Sequence, residues 1–419
     1  MRVHGELRVP GDKSISHRSL ILSALANGES RIRGILQSDD IRSTATMLGA
    51  LGIVVPDLAG EAVTISGTGP DGLRAPGASL DAGNSGTTAR LMSGVLSARP
   101  FISRMVGDAS LSKRPMARVA RPLGSMGAVF AFENGDGLPM TITGTSLRGL
   151  SWSPETASAH VKSAILLAGF TAGVPVEIHE PAATRDHTER MMRARGLDVR
   201  SEQRVVTYLP GAPMTAADVD VPGDPSSAAF FAALAALAAS GELILPGVCA
   251  NPGRTGAFHV LQRMGVRVGW EDMADSGGEP SATLVVAPRV LRGTTIDAAD
   301  VPSLIDELPV IACVAARAEG ETRVTGAAEL RVKESDRIAL IVRNLKAVGA
   351  DAEELADGFV VRGSDRRFAG RVVTEGDHRI AMAFAVLGAA SGNAIEIDDG
   401  ACVAVSYPGF WTDLANAIA

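Results

Sequence analysis

The chain has 419 residues, 46% hydrophobic and 21% charged, with a formal net charge of −7. That length exceeds one ordinary core, so two domains are expected, and the composition is that of a soluble globular protein. The acidic balance argues against a nucleic-acid or membrane surface, although local basic clusters can still hold anions.

Taken in order, the chain shows one unit six times. Its polar starts are Gly11-Asp12-Lys13-Ser14, Gly83-Asn84-Ser85-Gly86-Thr87, Ala157-Ser158-Ala159-His160, Gly223-Asp224-Pro225-Ser226, Ile305-Asp306-Glu307-Leu308 and Gly376-Asp377-His378-Arg379. They recur about every 70 residues, a self-similarity that marks a repeat architecture. An apolar helix follows each start, over residues 20–26, 89–96, 164–169, 228–239, 310–316 and 380–389. A short strand usually comes next, as at 30–35, 176–178, 242–245, 322–324 and 394–397. The first five units then carry an amphipathic second helix; Ile338, Ile341, Val342 and Leu345 fit the i, i+3, i+4, i+7 template. Gly52, Gly127, Gly196, Gly265 and Gly349 stand where such helices stop, ahead of further strands. Residues 410–418 read as the second helix of the sixth unit.

Helices apolar on nearly every face are buried all round, which places three inside each domain with strands outside. The expected domains are residues 13–222 and residues 1–12 plus 223–419, with Met1–Pro10 as an extra strand of the second. Two crossings of the chain, near Gly11 and Gly223, would let all six polar starts face a gap between the domains. The longest apolar run, residues 228–239, is short of the roughly 20 residues that span a bilayer. Met1–Pro10 is polar, so no secretion signal is expected. Three scattered cysteines (Cys249, Cys313, Cys402) suit a reduced cytoplasm, and seven histidines without paired ligand spacing suit no metal site.

The start at Lys13-Ser14…Arg18 carries the clearest chemistry. A helix N-terminus offers unpaired N–H groups and the positive end of the dipole, and two nearby cations suit it to phosphate or carboxylate. Asn84-Ser85-Gly86-Thr87-Thr88 is a small-residue anion nest or a plain turn. Ser112-Lys113-Arg114-Pro115 places two cations in a loop, where a solvated face is the ordinary explanation. Thr184-Arg185-Asp186-His187-Thr188-Glu189 opens a helix as a cap with surface charge or as a ligand site. Asp306 and Glu307 stand against an apolar helix, where an unpaired acid is costly, so Asp306 is either paired or functional. Lys333-Glu334-Ser335-Asp336-Arg337 fits a salt-bridged surface helix equally well. Asp39 and Asp40 after Ser38 read as helix caps.

In this order the motifs resemble the 5-enolpyruvylshikimate-3-phosphate synthase family, over nearly the whole chain. Asp377-His378-Arg379-Ile380-Ala381-Met382 completes the set, and Ser158-Ala159-His160-Val161-Lys162 with Arg185-Asp186-His187-Thr188-Glu189 resemble its more divergent bacterial class. The resemblance implies an inside-out α/β barrel: two similar domains, each of three βαβαββ-like units with buried helices. It implies transfer of the enolpyruvyl group of phosphoenolpyruvate to the 5-hydroxyl of shikimate 3-phosphate, with release of phosphate, through a tetrahedral intermediate. Implied too are a glyphosate target, no metal or organic cofactor, small-molecule partners only, and a cytoplasmic monomer.

By the same resemblance Lys13, Asn84, Gly86, Arg114, His160, Arg337, His378 and Arg379 face phosphoenolpyruvate. Lys13, Ser14, Arg18, Ser158, Ala159, His160, Thr184, Arg185, Asp306 and Lys333 hold shikimate 3-phosphate. Asp306 takes the 5-hydroxyl proton, and Glu334, beside Lys333, protonates and deprotonates the methylene carbon. Three departures are visible: His160 stands where the family usually has Gln, Thr184 where it commonly has Ser, and Val405 where some members carry Lys. The sister enzyme acting on UDP-N-acetylglucosamine usually has a reactive Cys in its mobile loop, and residues 107–115 have none. A non-catalytic binder of phosphorylated metabolites is opposed by Asp306 and Glu334, which would repel anions.

Overall fold

In the computed structural model, residues 1–390 and 392–418 are described. Helices run in pairs along them: α1 (Lys13–Leu25) and α2 (Asp39–Ala50), α3 (Gly86–Ser97) and α4 (Ala117–Met126), α5 (Ala159–Ala172) and α6 (His187–Arg193), α7 (Pro225–Ala236) and α8 (Gly256–Arg263), α9 (Leu308–Ala315) and α10 (Arg337–Ala347), α11 (His378–Ala389) and α12 (Phe410–Asn416). Contacts divide the chain into two compact units. An N-terminal unit holds Gly11–Val221 with Asp275–Glu279. A C-terminal unit holds Met1–Pro10, Pro222–Ala274 and the chain from Pro280 onward.

One sheet pattern recurs. Leu80–Asp81, ahead of α3, runs parallel to Ile102–Val106 behind it; Met140–Thr143 and Val129–Phe132 then add antiparallel. The order repeats in Leu150–Trp152, Val176–His179, Val205–Leu209 and Asp198–Glu202. It repeats again in the C-terminal unit as Thr295–Ile296, Glu321–Val324, Gly358–Arg362 and Asp351–Leu355. The first sheet borrows its leading strand from the far end of its unit, Val219–Asp220 lying parallel to Asn27–Arg33. Of Met1–Pro10, only Arg2–Val3 forms a regular strand, parallel to Ser240–Gly241.

The inner helices follow from their composition. Every residue of α7 and α9 is buried, and α1 is buried from Ile15 to Leu25. A helix without a polar face is stable only when enclosed on all sides. Small residues set the spacing: a Cβ at Gly94 of α3 would lie 2.2 Å from the Ala164 carbonyl oxygen of α5. The second helices bury one face only, as Ile338, Ile341, Val342 and Leu345 do in α10 while Arg343 and Lys346 stay exposed. Gly52, Gly127, Gly196, Gly265 and Gly349 all have positive φ, the conformation that ends a helix without a Cβ clash. One expected strand is missing. Ile53-Val54 after Gly52 pairs with nothing, Val54 is 80% exposed, and Pro56 withholds a ladder donor two residues on.

Arg195, between α6 and Gly196, is fully buried. Its Nη1 donates to the Met191 carbonyl at 3.2 Å, while Nε and Nη2 have no hydrogen-bond partner among the described residues. Burial lowers its pKa to about 10. A base with a lowered folded-state pKa costs stability at neutral pH, and the cost fades as pH climbs through that value. Arg195→Met gives up one carbonyl contact but no ion pair. It is expected to raise stability by roughly 1–4 kcal/mol at pH 7.5, read as a higher unfolding midpoint. The advantage should hold up to about pH 10 and shrink above it; a lower midpoint at pH 7.5 would show that the guanidinium is compensated.

Candidate active site

In the N-terminal unit three inner-helix N-termini carry the polar starts. Asp12 caps α1, its carboxylate accepting from Ile15 N at 2.8 Å. Ser85 caps α3 through Thr88 N at 3.2 Å, and Ser158 caps α5 through Val161 N at 3.4 Å. Lys13, the first residue of α1, is ion-paired with Asp40 of α2. Behind it runs a buried chain of polar groups: His17 Nδ1 to Thr44 Oγ1 at 2.7 Å, Thr44 to Thr88 at 2.6 Å, and Thr88 to Ser85 at 2.8 Å. Burial, helped by Lys13 and Arg18, overrides the opposing pull of Asp40 and lowers the His17 pKa to about 3, so the imidazole is neutral.

Arg18 is itself buried. Nε donates to Thr188 Oγ1 at 2.7 Å, Nη1 to the Ser14 carbonyl at 3.0 Å and Nη2 to Ser163 Oγ at 2.9 Å. Burial lowers its pKa to about 10, which still leaves a cation at neutral pH. His160, in the first turn of α5, has Nε2 3.3 Å from Thr87 Oγ1 of α3. Asp108 organises the loop before α4: Oδ1 accepts from Leu111 N at 2.7 Å and Oδ2 from Asn84 Nδ2 at 2.5 Å. Asn84 Oδ1 in turn receives Arg114 Nη2 at 2.7 Å. Gly86, the first residue of α3, is buried at this spot. A Cβ there would lie 2.7 Å from Arg90 Nη1 and 3.6 Å from Arg114 Nη1. Two guanidinium groups and a helix N-terminus therefore converge on Gly86. Thr184 donates to Glu180 at 2.5 Å, and Arg185 beside it is half-buried.

The C-terminal unit gathers carboxylates and cations. Asp306 lies in a 3₁₀ turn, Ile305–Glu307, that feeds α9; its Oδ1 is 3.2 Å from Lys333 Nζ and 3.3 Å from Arg337 Nη1. Arg337, fully buried at the start of α10, also donates from Nε to Asp377 Oδ2 at 2.8 Å and lies 2.6 Å from Glu334 Oε2. Burial opposes its charge, but Asp377 and Glu334 outweigh that and raise its pKa. Asp377 also caps α11 through Arg379 N at 3.0 Å, with His378 buried beside it. Arg379 Nη1 reaches the Asp306 carbonyl at 3.3 Å and Glu307 Oε1 at 3.6 Å. Glu307 accepts from Ser226, which also receives Arg254 Nη2 at 3.1 Å. Charges this close in a dry setting act far more strongly than in bulk water.

A family model described as EPSP synthase (3-phosphoshikimate 1-carboxyvinyltransferase) matches residues 1–414. The chain belongs to the EPSP synthase family. Relatives named 3-phosphoshikimate 1-carboxyvinyltransferase include one from Desulforudis audaxviator, 46% identical over 97% of this chain and 95% of that one. Another, from Aquifex aeolicus, is 47% identical over 100% and 98%. Among solved structures, EPSP synthase from Acinetobacter baumannii superposes with a TM-score of 0.89 at 42% identity, covering 99% of this chain and 96% of that one. The enolpyruvyl transferase NikO from Streptomyces tendae, at 19% identity and a TM-score of 0.77 over 99% and 95%, shares the fold.

Within this EPSP synthase family member, Asp306, Lys333, Glu334, Arg337 and Arg379 come together in one unit, and Asn84, Gly86 and Arg114 in the other. Two expectations change in kind. Arg18 and Arg337 are not open cations but buried ones whose hydrogens are committed inside the protein. Asp40, read as a cap, is a buried partner of Lys13, and Ser38 makes no side-chain cap bond. Sequence reading passed over Arg90, Asp108, Glu180 and Arg254. Arg90 alone had a local signal, lying one turn after Gly86.

Proposed function

We propose that this chain transfers the enolpyruvyl group of phosphoenolpyruvate to the 5-hydroxyl of shikimate 3-phosphate and releases phosphate. The observation that carries the reading is the pair Asp306 and Glu334 set among Lys333, Arg337 and Arg379. A mere anion binder gains nothing from carboxylates there, whereas a reaction that moves protons needs them. Lys13, Arg114 and Arg379 bind the two anions, with Asn84, Gly86, His160 and His378 completing the phosphoenolpyruvate side. Ser14, Ser158, Ala159, Thr184 and Arg185 hold shikimate 3-phosphate, with Arg18 fixed beneath them. Asp306 accepts the 5-hydroxyl proton as the oxygen bonds to C2 of phosphoenolpyruvate, while Glu334 protonates C3. Glu334 then withdraws a C3 proton, the C2–C3 double bond re-forms, and phosphate leaves C2 with the proton that Asp306 took. Arg337 keeps both carboxyl groups aligned.

Acidic net charge and three free cysteines support a cytoplasmic protein with small-molecule partners, acting as a monomer without nucleic acid. Among the described residues no helix is long and apolar enough to cross a membrane. Phosphate release decides the reading. It should require phosphoenolpyruvate and shikimate 3-phosphate together; equal release with UDP-N-acetylglucosamine, or none with either acceptor, would overturn it.

Glyphosate should compete with phosphoenolpyruvate beside Gly86. Gly86→Ala pushes a methyl group towards Arg90 and shortens that wall. The longer inhibitor should lose roughly tenfold or more in affinity, the range one added methylene group produces in a fitted pocket. Phosphoenolpyruvate should lose less, as read from Ki and KM in one assay. Equal losses would mean that Gly86 does not set the pocket's length.

A further inference from the structure

Lys162 lies one turn inside α5 with its side chain 2% exposed, in a helix buried from Val161 to Thr171. Its ammonium is 2.7 Å from Glu189 Oε1 of α6, 3.0 Å from Glu180 Oε2 and 3.5 Å from the Thr184 carbonyl. An ammonium has three hydrogens, and here three oxygens surround it. Burial opposes the charge, yet Glu189 and Glu180 outweigh it and raise the Lys162 pKa, so it stays protonated. Glu180 uses its other oxygen, Oε1, to accept the Thr184 hydroxyl at 2.5 Å. Thr184 is therefore gripped twice, by its hydroxyl through Glu180 and by its carbonyl through Lys162. Two carboxylates against one ammonium leave a surplus negative charge. Arg18, for which Glu189 is the strongest charged neighbour, offsets it.

Burying three charged groups is costly before pairing returns any of it. A well-packed apolar side chain would fill the space more cheaply but would leave the backbone at Thr184 without a donor. We infer that Lys162 is a positioning residue for the reaction. With Glu180 and Glu189 it fixes the segment 180–185, so that Thr184 and Arg185 present one geometry to shikimate 3-phosphate. This rests on the reaction proposed above.

Steady-state kinetics of Lys162→Met with both substrates varied tests it. KM for shikimate 3-phosphate should rise roughly tenfold or more, the size of a lost hydrogen bond to a charged group. KM for phosphoenolpyruvate and kcat should stay close to wild type. A merely structural lysine would instead lower the amount of active enzyme at unchanged KM. Should Lys162→Met fold poorly, the cycle of Glu180→Gln and Thr184→Val reads the same coupling, and the double variant should be no worse than Thr184→Val alone. Amide exchange at Thr184 and Arg185 should also accelerate in Glu180→Gln, a readout independent of turnover. An unchanged KM for shikimate 3-phosphate in Lys162→Met, strict additivity in the cycle, or unaltered exchange would overturn the positioning role. Absence of phosphate release from the wild type would overturn the reaction itself and leave the exchange result standing.

Discussion

Asp306→Asn is expected to lower kcat by roughly 10²–10⁴-fold, the usual contribution of a positioned proton acceptor. The substitution keeps size and one hydrogen-bond acceptor, so Lys333 Nζ at 3.2 Å and Arg337 Nη1 at 3.3 Å retain a neighbour. What disappears is the charge that can take a proton from the 5-hydroxyl. Because that transfer belongs to the transition state, kcat and kcat/KM should fall together, with KM for shikimate 3-phosphate changing little. Arg337 keeps Asp377 and Glu334 as partners, so the fold should tolerate the change. The measurement is a pair of saturation curves for the variant. Near-normal kcat with a large rise in KM would make Asp306 a binding residue instead.

Local pattern and long-range pairing were unequally legible in the sequence. The polar starts were read as the openings of apolar helices, and at five of the six a side chain caps the helix. Asp12, Ser85, Ser158, Asp224 and Asp377 each accept a backbone N–H from the turn they open. The fifth start in chain order differs: Asp306 and Glu307 make no side-chain cap bond, because Lys333, Arg337 and Ser226 claim their carboxylates. Glycine stops and apolar faces were legible for the same reason, since both act within a turn or two. Charge partners are not local. Asp40 lies 27 residues from Lys13 and Lys162 lies 18 from Glu180, so each looks like an ordinary cap or an isolated lysine until the helices pack. Arg337 was legible as part of a motif, but its commitment to Asp377 joins two helix N-termini that only the fold brings together.

Arg337→Met should be the most damaging single change to stability, at about 3–5 kcal/mol, the usual cost of stranding buried charges. Arg337 is fully buried and faces Asp377, Glu334 and Asp306 at once. Burial alone would push the Asp377 carboxyl up; Arg337 reverses this and holds it below the ordinary range. A carboxyl lowered in the folded state adds stability that is fully present above its unfolded pKa of about 3.9 and is lost as pH falls through the folded value. In Arg337→Met the sign inverts, because burial then raises Asp377 and protonation relieves an uncompensated charge. The stability gap between wild type and variant should therefore be widest at neutral pH and narrow on acidification. Urea unfolding at pH 7.5 and at about pH 5 would measure it, with midpoints compared at equal slopes. Arg337→Lys should recover only part of the loss, because a point charge cannot serve Asp377 through two nitrogens while reaching Asp306. A gap of the same size at both pH values would place the damage in lost packing around the side chain rather than in the stranded carboxylates.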